Sequence, residues 1–176
     1  MGFHYTDTLE KHNWVGGGAC AYIYHVSPTI VVKTVRPDRS PEEETEEEHP
    51  FLKDIAFYKR LSERQDRCQS IVDCFLILPD HLFLLYCKNN AIIWRFYERQ
   101  ERENNRFLSR LIRVKDYEDP KLIARWIQQL TSALEYIEKM GFCHNDLNTT
   151  NCLLDDNFKA DRFRPCHYCW PVSRIY

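Results

Sequence analysis

The sequence predicts an α+β fold on three observations. β-prone runs fill 13–35 and 70–86, a helical period follows Pro50, and a long amphipathic helix starts at Asp119-Pro120. The order is therefore strand-rich, one helix, strand-rich, then helix-rich. With 176 residues, 44% of them hydrophobic and 14% aromatic, the chain can bury a core and suffices for one ordinary domain or two very small lobes. Wholesale disorder and two full enzyme domains are excluded.

The first strands surround Gly16-Gly17-Gly18, with Ala21-Tyr22-Ile23-Tyr24-His25-Val26 and Thr29-Ile30-Val31-Val32-Lys33-Thr34-Val35 separated by Ser27-Pro28. This reads as a two-stranded hairpin preceded by a glycine-rich loop. The acidic run 41–48 then holds little apolar surface, and is a solvated segment or the approach to a helix. After Pro50 the residues Phe51, Ile55, Tyr58 and Leu61 recur at helical spacing, which predicts a helix to about Ser62. A second hairpin joins Ile71–Leu78 to Leu82–Tyr86 through Pro79-Asp80-His81, and Lys88-Asn89-Asn90 marks a boundary. Between Trp94 and Lys115, Arg95, Arg99, Arg102, Arg106, Arg110 and Arg113 fall three or four apart, the spacing of one helical face. Glu98, Glu101 and Glu103 interleave with them, so the segment is expected to be a solvated helix or loop. It lacks the aromatic platforms that nucleic-acid bases need. The long helix carries Leu122, Ile123, Trp126, Ile127, Leu130, Leu134, Ile137 and Met140, with Asp119 as cap and Gly141 as stop.

Charge and cysteine usage limit the partners. Lys and Arg total 24 against 26 Asp and Glu, a formal charge of −2, so no global field calls for nucleic acid or an anionic membrane. The first residues show no signal-peptide pattern, and no apolar run approaches the ~18 residues of a membrane span. Met1-Gly2 with Thr6 fits a loose myristoylation pattern, but bulky Phe3 follows the glycine and no lipid anchor is expected. The eight cysteines are therefore expected to be reduced thiols in an intracellular protein, cytoplasmic or nuclear. A monomer without membrane or nucleic-acid partners is expected.

The chemistry-bearing residues cluster after the long helix. The segment 142–154 reads Phe-Cys-His-Asn-Asp-Leu-Asn-Thr-Thr-Asn-Cys-Leu-Leu, so His144, Asp146 and Asn151 stand in the pattern His-x-Asp-Leu-x-x-x-Asn with an apolar strand behind. Upstream lie the glycine cluster and Lys33 at the end of Val31-Val32. Alone, three glycines suit a simple turn and a strand lysine suits an edge charge.

Taken in order, these parts resemble the protein-kinase family. Gly16, Gly17 and Gly18 resemble its glycine-rich loop, with Ala21 replacing the last glycine and Ile23 where the family has valine; glycine there lets backbone amides approach phosphates. The resemblance makes Lys33 the ligand of the α- and β-phosphates, and Asp54 the helix acid that pairs with it. Aspartate is one methylene short of the family's glutamate, so the pair is expected to need a closer helix or a bridging water. Tyr86 and Cys87 would form the hinge that meets adenine. Asp146 would be the catalytic base, Asn151 would hold a magnesium ion, and His144 would be structural. Asn145 stands where many kinases have arginine, which implies no switching by a phosphorylated activation loop. Asn148 stands where serine/threonine kinases have lysine, which removes a cation near the transferred group. Glu47 to Leu154 resembles kinase-like proteins of filamentous fungi.

The resemblance implies a two-lobed kinase-like fold with a complete antiparallel-sheet N-lobe in 1–88, and only the start of the helical C-lobe in 89–160. A tail, 161–176, is expected to be unrelated or disordered. No Asp-Phe-Gly follows Leu154, and Asp161 is the only acid after Asp156. Cys166-x-x-Cys169 lacks a second close pair to complete a zinc site. The reading frame is expected to leave that of a kinase near Lys159, and the long helix to expose apolar surface. The implied function is phosphoryl transfer from ATP to a protein hydroxyl, impaired in this chain. The alternative is a non-catalytic module that binds nucleotide or an interaction partner.

Overall fold

Strand order, more than strand content, decides which side chains are buried. In the computed structural model, which describes residues 13–18, 20–36, 49–88, 91–104, 109–154, 163–165 and 169–171, five strands form an antiparallel sheet. They are β1 (Trp14–Gly17), β2 (Ala21–Ser27), β3 (Ile30–Val35), β4 (Cys74–Leu78) and β5 (His81–Leu85), in the order β1-β2-β3-β5-β4. The central strand β3 is paired on both edges, and Val31, Val32, Lys33 and Thr34 are all buried. Met1-Gly2, the acidic run 41–48, Asn89, Asn90, Asp161 and Cys166 lie outside the described residues.

The glycine cluster differs from its expected form. Rather than preceding a two-stranded hairpin, Gly16 and Gly17 end β1 and pair with Ile23 and Tyr22 of β2. The cause is aromatic: Trp14 meets Tyr22 and Tyr24 edge-to-face at 5.3 and 5.6 Å, a cross-strand cluster that holds the extra strand in register. Gly18 N–H donates to Ala21 O at 2.9 Å and closes the turn.

Helix α1 (Pro50–Ser62) has proline in its first turn, where no amide donor is needed, and the His49 ring accepts from Phe51 N–H at 3.2 Å. Its inner side buries Phe51, Ile55, Phe57 and Tyr58.

The arginine-rich segment, expected as a solvated helix or loop, is built from a helix and a strand pair. It forms a short helix α2 (Ile92–Glu98) and then a hairpin of β6 (Gln100–Asn104) and β7 (Ser109–Val114). Opposite charges here match across strands: Glu101 faces Arg113 and Glu103 faces Arg110, with Arg113 Nε to Glu101 Oε2 at 2.5 Å. Arg95 and Arg99, on and just after α2, converge on the buried carboxylate of Glu118. The arginines are thus divided among α2 and its C-cap, β6 and β7, with Arg106 outside the described residues.

Helix α3 (Pro120–Lys139) follows its predicted limits, capped by Asp119 Oδ1, which accepts from Lys121 N–H at 2.9 Å. Gly141 adopts φ 83° just beyond it, where a side chain would be strained. The chain then runs through β8 (Phe142–His144), a loop, and β9 (Cys152–Leu154). In the tail, β10 (Phe163–Pro165) pairs with β9, and β11 (Cys169–Pro171) pairs with β8.

Two apolar clusters hold these parts. The larger joins the sheet and α1 to Ala133, Ile137, Met140 and Phe142, with Phe57 and Phe142 edge-to-face at 5.4 Å. The smaller gathers Ile92, Trp126, Cys152 and Leu154. Ile123 and Ile127 of α3 stay in solvent, Ile127 at 59% exposure, as the sequence led one to expect of that face. No described helix is long and apolar enough to cross a membrane.

The cap makes a simple test. Asp119→Ala should lower unfolding free energy by about 1 kcal/mol in urea denaturation, and Asp119→Asn should retain most of it. An Ala variant as stable as the parent would refute the cap's contribution.

Candidate functional site

A cleft of about 400 Å³ lies between the five-stranded sheet and the 145–151 loop. Gly16, Gly17, Gly18, Lys33, Tyr86, Cys87 and Asn151 all line it, so seven residues picked from distant parts of the sequence share one cavity. Aliphatic side chains of Val15, Ile23, Val31, Val72 and Leu84 also line it. Ala91, Trp94, Thr150 and Leu153 also line the cleft and were not singled out from sequence. In the sequence Trp94 opens the charged segment, and a large aromatic residue among arginines is the signal that marks it.

Lys33 projects from the central strand toward α1. Its Nζ lies 2.5 Å from Asp54 Oδ2, and the side chains are 4% and 3% exposed. The pair is direct, so the shorter acid needs no bridging water. Close seating of α1 through Phe51 and Ile55 supplies the missing length. Removing two charges from water is costly, and only such close contact offsets it. The ammonium is thereby fixed at the cleft wall.

The loop places a carboxylate between two amides. Asn151 Nδ2 donates to Asp146 Oδ2 and to Asp146 O, each at 2.8 Å, while Asn148 Nδ2 donates to Asp146 Oδ1 at 2.8 Å. Asn148 cannot turn over without loss, because its Oδ1 already accepts from Thr150 N–H at 2.9 Å and from the Thr150 hydroxyl. Asn151 N–H donates to Asn148 O at 3.1 Å and closes the turn. Asp146 itself is exposed, and each oxygen retains capacity for one further donor. Asp146 does not line the cleft directly but is joined to it through Asn151.

Behind the loop, burial pushes the Cys152 thiol up to about 11, and that of Cys74 in β4 likewise to about 11. Both are packing residues held as thiols at neutral pH, and Cys20, Cys68, Cys74, Cys87, Cys143 and Cys152 are not joined in disulfides.

A nucleotide suits this cavity: apolar walls for a base, a cation and glycine amides for phosphates. For magnesium, no group of three His, Cys, Asp or Glu gathers among the described residues. Since the Asn151 amide nitrogen is committed to Asp146, its Oδ1 is the atom left to ligate a cation. One neutral oxygen fits an ion that arrives already bound to phosphates.

The family model for protein tyrosine and serine/threonine kinases matches residues 15–161. Among curated proteins, human tyrosine-protein kinase ABL2 is 29% identical over 157 residues, covering 86% of this chain and 11% of its own length. Mouse ABL2 is 27% identical over the same shares. The tyrosine-protein kinase transforming protein Abl of Abelson murine leukemia virus is also 27% identical, over 86% of this chain and 18% of its own. The chain thus spans less than a fifth of the length of these relatives.

Two tests follow from the geometry. Asp54→Ala takes the carboxylate away from the buried Lys33 ammonium and should cost about 3–5 kcal/mol in chemical denaturation, whereas Lys33→Met with Asp54→Leu should recover most of that loss. A single variant within about 1 kcal/mol of the parent would contradict the pair's importance. The glycines should separate too. A Cβ on Gly17 would sit 2.8 Å from Trp14 Cη2, while one on Gly16 meets nothing within 4 Å. Gly17→Ala should cost about 1–3 kcal/mol, and Gly16→Ala should melt like the parent; equal losses would be the wrong outcome.

Proposed function

The chain belongs to the protein tyrosine and serine/threonine kinase family, and on that premise we propose that it binds ATP in the cleft and phosphorylates a protein hydroxyl. The observation that carries this reading is the meeting of two walls: the buried Lys33–Asp54 pair on the sheet, and the Asp146–Asn151 loop opposite. Both are needed for phosphoryl transfer, which depends on positioning and charge neutralisation.

In this mechanism the backbone leaving β5 at Tyr86 and Cys87 meets the adenine, and the β1–β2 turn at Gly16–Gly18 covers the phosphates. Lys33 neutralises their charge, and Asp54 keeps its ammonium from turning away. Magnesium, when bound through Asn151 Oδ1, supplies further charge neutralisation on the phosphates. The acceptor hydroxyl donates to the Asp146 carboxylate. As the new oxygen–phosphorus bond forms, the bond from the γ-phosphorus to the bridging oxygen breaks, ADP leaves, and the hydroxyl proton passes to Asp146. The amides of Asn148 and Asn151 hold that carboxylate facing the acceptor. Serine, threonine and tyrosine are all chemically suitable; the names of the relatives favour tyrosine. The partner is a protein substrate, and the enzyme works as an intracellular monomer.

Asn148 favours a second reading. It holds Asp146 without bringing a cation beside the transferred group, so transition-state charge is less well compensated. A slow enzyme, or a module that keeps nucleotide without transfer, is the consequence.

Incubation with γ-labelled ATP and a peptide library of Ser, Thr and Tyr acceptors tests the first reading. Asp146→Ala should lower transfer by about 10²- to 10⁴-fold while a thermal-shift titration with ATP still shows binding. Transfer that survives this substitution would contradict Asp146 as base. Binding without transfer in the parent would favour the second reading.

A further inference from the structure

Trp94 is 55% exposed, yet it lines the cleft beside residues of the glycine turn and the 145–151 loop. It also lines a second cavity of about 500 Å³ that opens beneath the β6–β7 hairpin. The indole is therefore a partition between the two spaces.

Its position is determined from both sides. The start of α2 is tied to the loop by Ile93 N–H donating to Thr149 O at 3.2 Å, and by the bridge between Ala91 and Leu153. On the other side the indole meets Tyr97 edge-to-face at 5.7 Å. Arg102 of the hairpin lies 4.5 Å over the Tyr97 ring. Its guanidinium is fixed by donating to Ser109 Oγ at 2.8 Å and Ser109 O at 3.1 Å. A side chain held in this way keeps one orientation with little entropy left to lose on binding.

We propose that Trp94 is a nucleotide-contacting wall of the cleft, and that the β6–β7 hairpin tunes nucleotide affinity by holding it through Tyr97 and Arg102. This rests on the nucleotide reading of the cleft. An indole has a flat apolar face and a single N–H donor, so it contributes contact area to the base or sugar face of a nucleoside rather than accepting hydrogen bonds from it. The part of its surface now in water is the part that a ligand would cover.

Calorimetric titration of the full chain with ATP and magnesium tests this. Trp94→Ala should weaken binding by about tenfold, the scale of one lost aromatic stacking contact. Trp94→Phe should stay within about threefold of the parent, and Arg102→Ala should weaken binding by about threefold with no contact to the ligand. ATP should also change tryptophan emission in the parent and not in Trp94→Phe. If Trp94→Ala binds as the parent does and emission is unmoved, while the folded double variant Lys33→Met with Asp54→Leu loses binding, Trp94 is no wall and the cleft reading stands. If the parent gives the same blank titration as the double variant Lys33→Met with Asp54→Leu, the nucleotide reading fails and takes this inference with it.

Discussion

An ammonium buried against a carboxylate is the constraint from which the rest of this architecture follows. Lys33 sits on the central strand of the sheet, and Asp54 sits on the buried side of α1. Neither charge is stable there without the other, so helix and sheet must meet at one separation. That requirement explains why the start of α1 is so firmly arranged, with the His49 ring on Phe51 N–H, proline in the first turn and Phe51 fully buried. From α1 the constraint passes through Phe57 to Phe142, the first residue of the strand that leads into the loop. The cation on one wall of the cleft and the carboxylate on the other are thus spaced by packed rings.

The loop solves a related problem by other means. Asp146 is in solvent, where a carboxylate pays no desolvation cost but has no packing to hold it. Two asparagine side chains supply the orientation, and Thr150 fixes which way one of them points. Neutral donors hold a base without adding charge. A lysine at position 148 would have combined positioning with neutralisation, and here the two are separated.

Much of this was legible in the residue order. Lys33, Asp146 and Asn151 could be picked out by their resemblance to protein-kinase motifs, and α1 and α3 by apolar period and by Pro50 and Asp119 at their starts. What stayed hidden depended on partners far along the chain. The arginines from 95 to 113 have helical spacing, but Glu101 and Glu103 become strand neighbours of Arg113 and Arg110 only once the hairpin turns back. Gly17 looked like a residue spared for a ligand, whereas Trp14 occupies the space its Cβ would need. The length of Asp54 looked inadequate because side-chain length was compared without the depth at which α1 sits.

Helix α3 contributes to both apolar clusters. Ala133 and Ile137 near its C-terminal end belong with the sheet, while Trp126 nearer its start belongs with Ile92, Cys152 and Leu154. At 1.5 Å per residue its twenty residues form a strut about 30 Å long. Neither cluster can loosen without pulling on that strut, and the strands on either side of Asp146 are anchored one in each, Phe142 in the first and Cys152 in the second. The loop therefore bridges the two clusters, and its geometry depends on the packing of both.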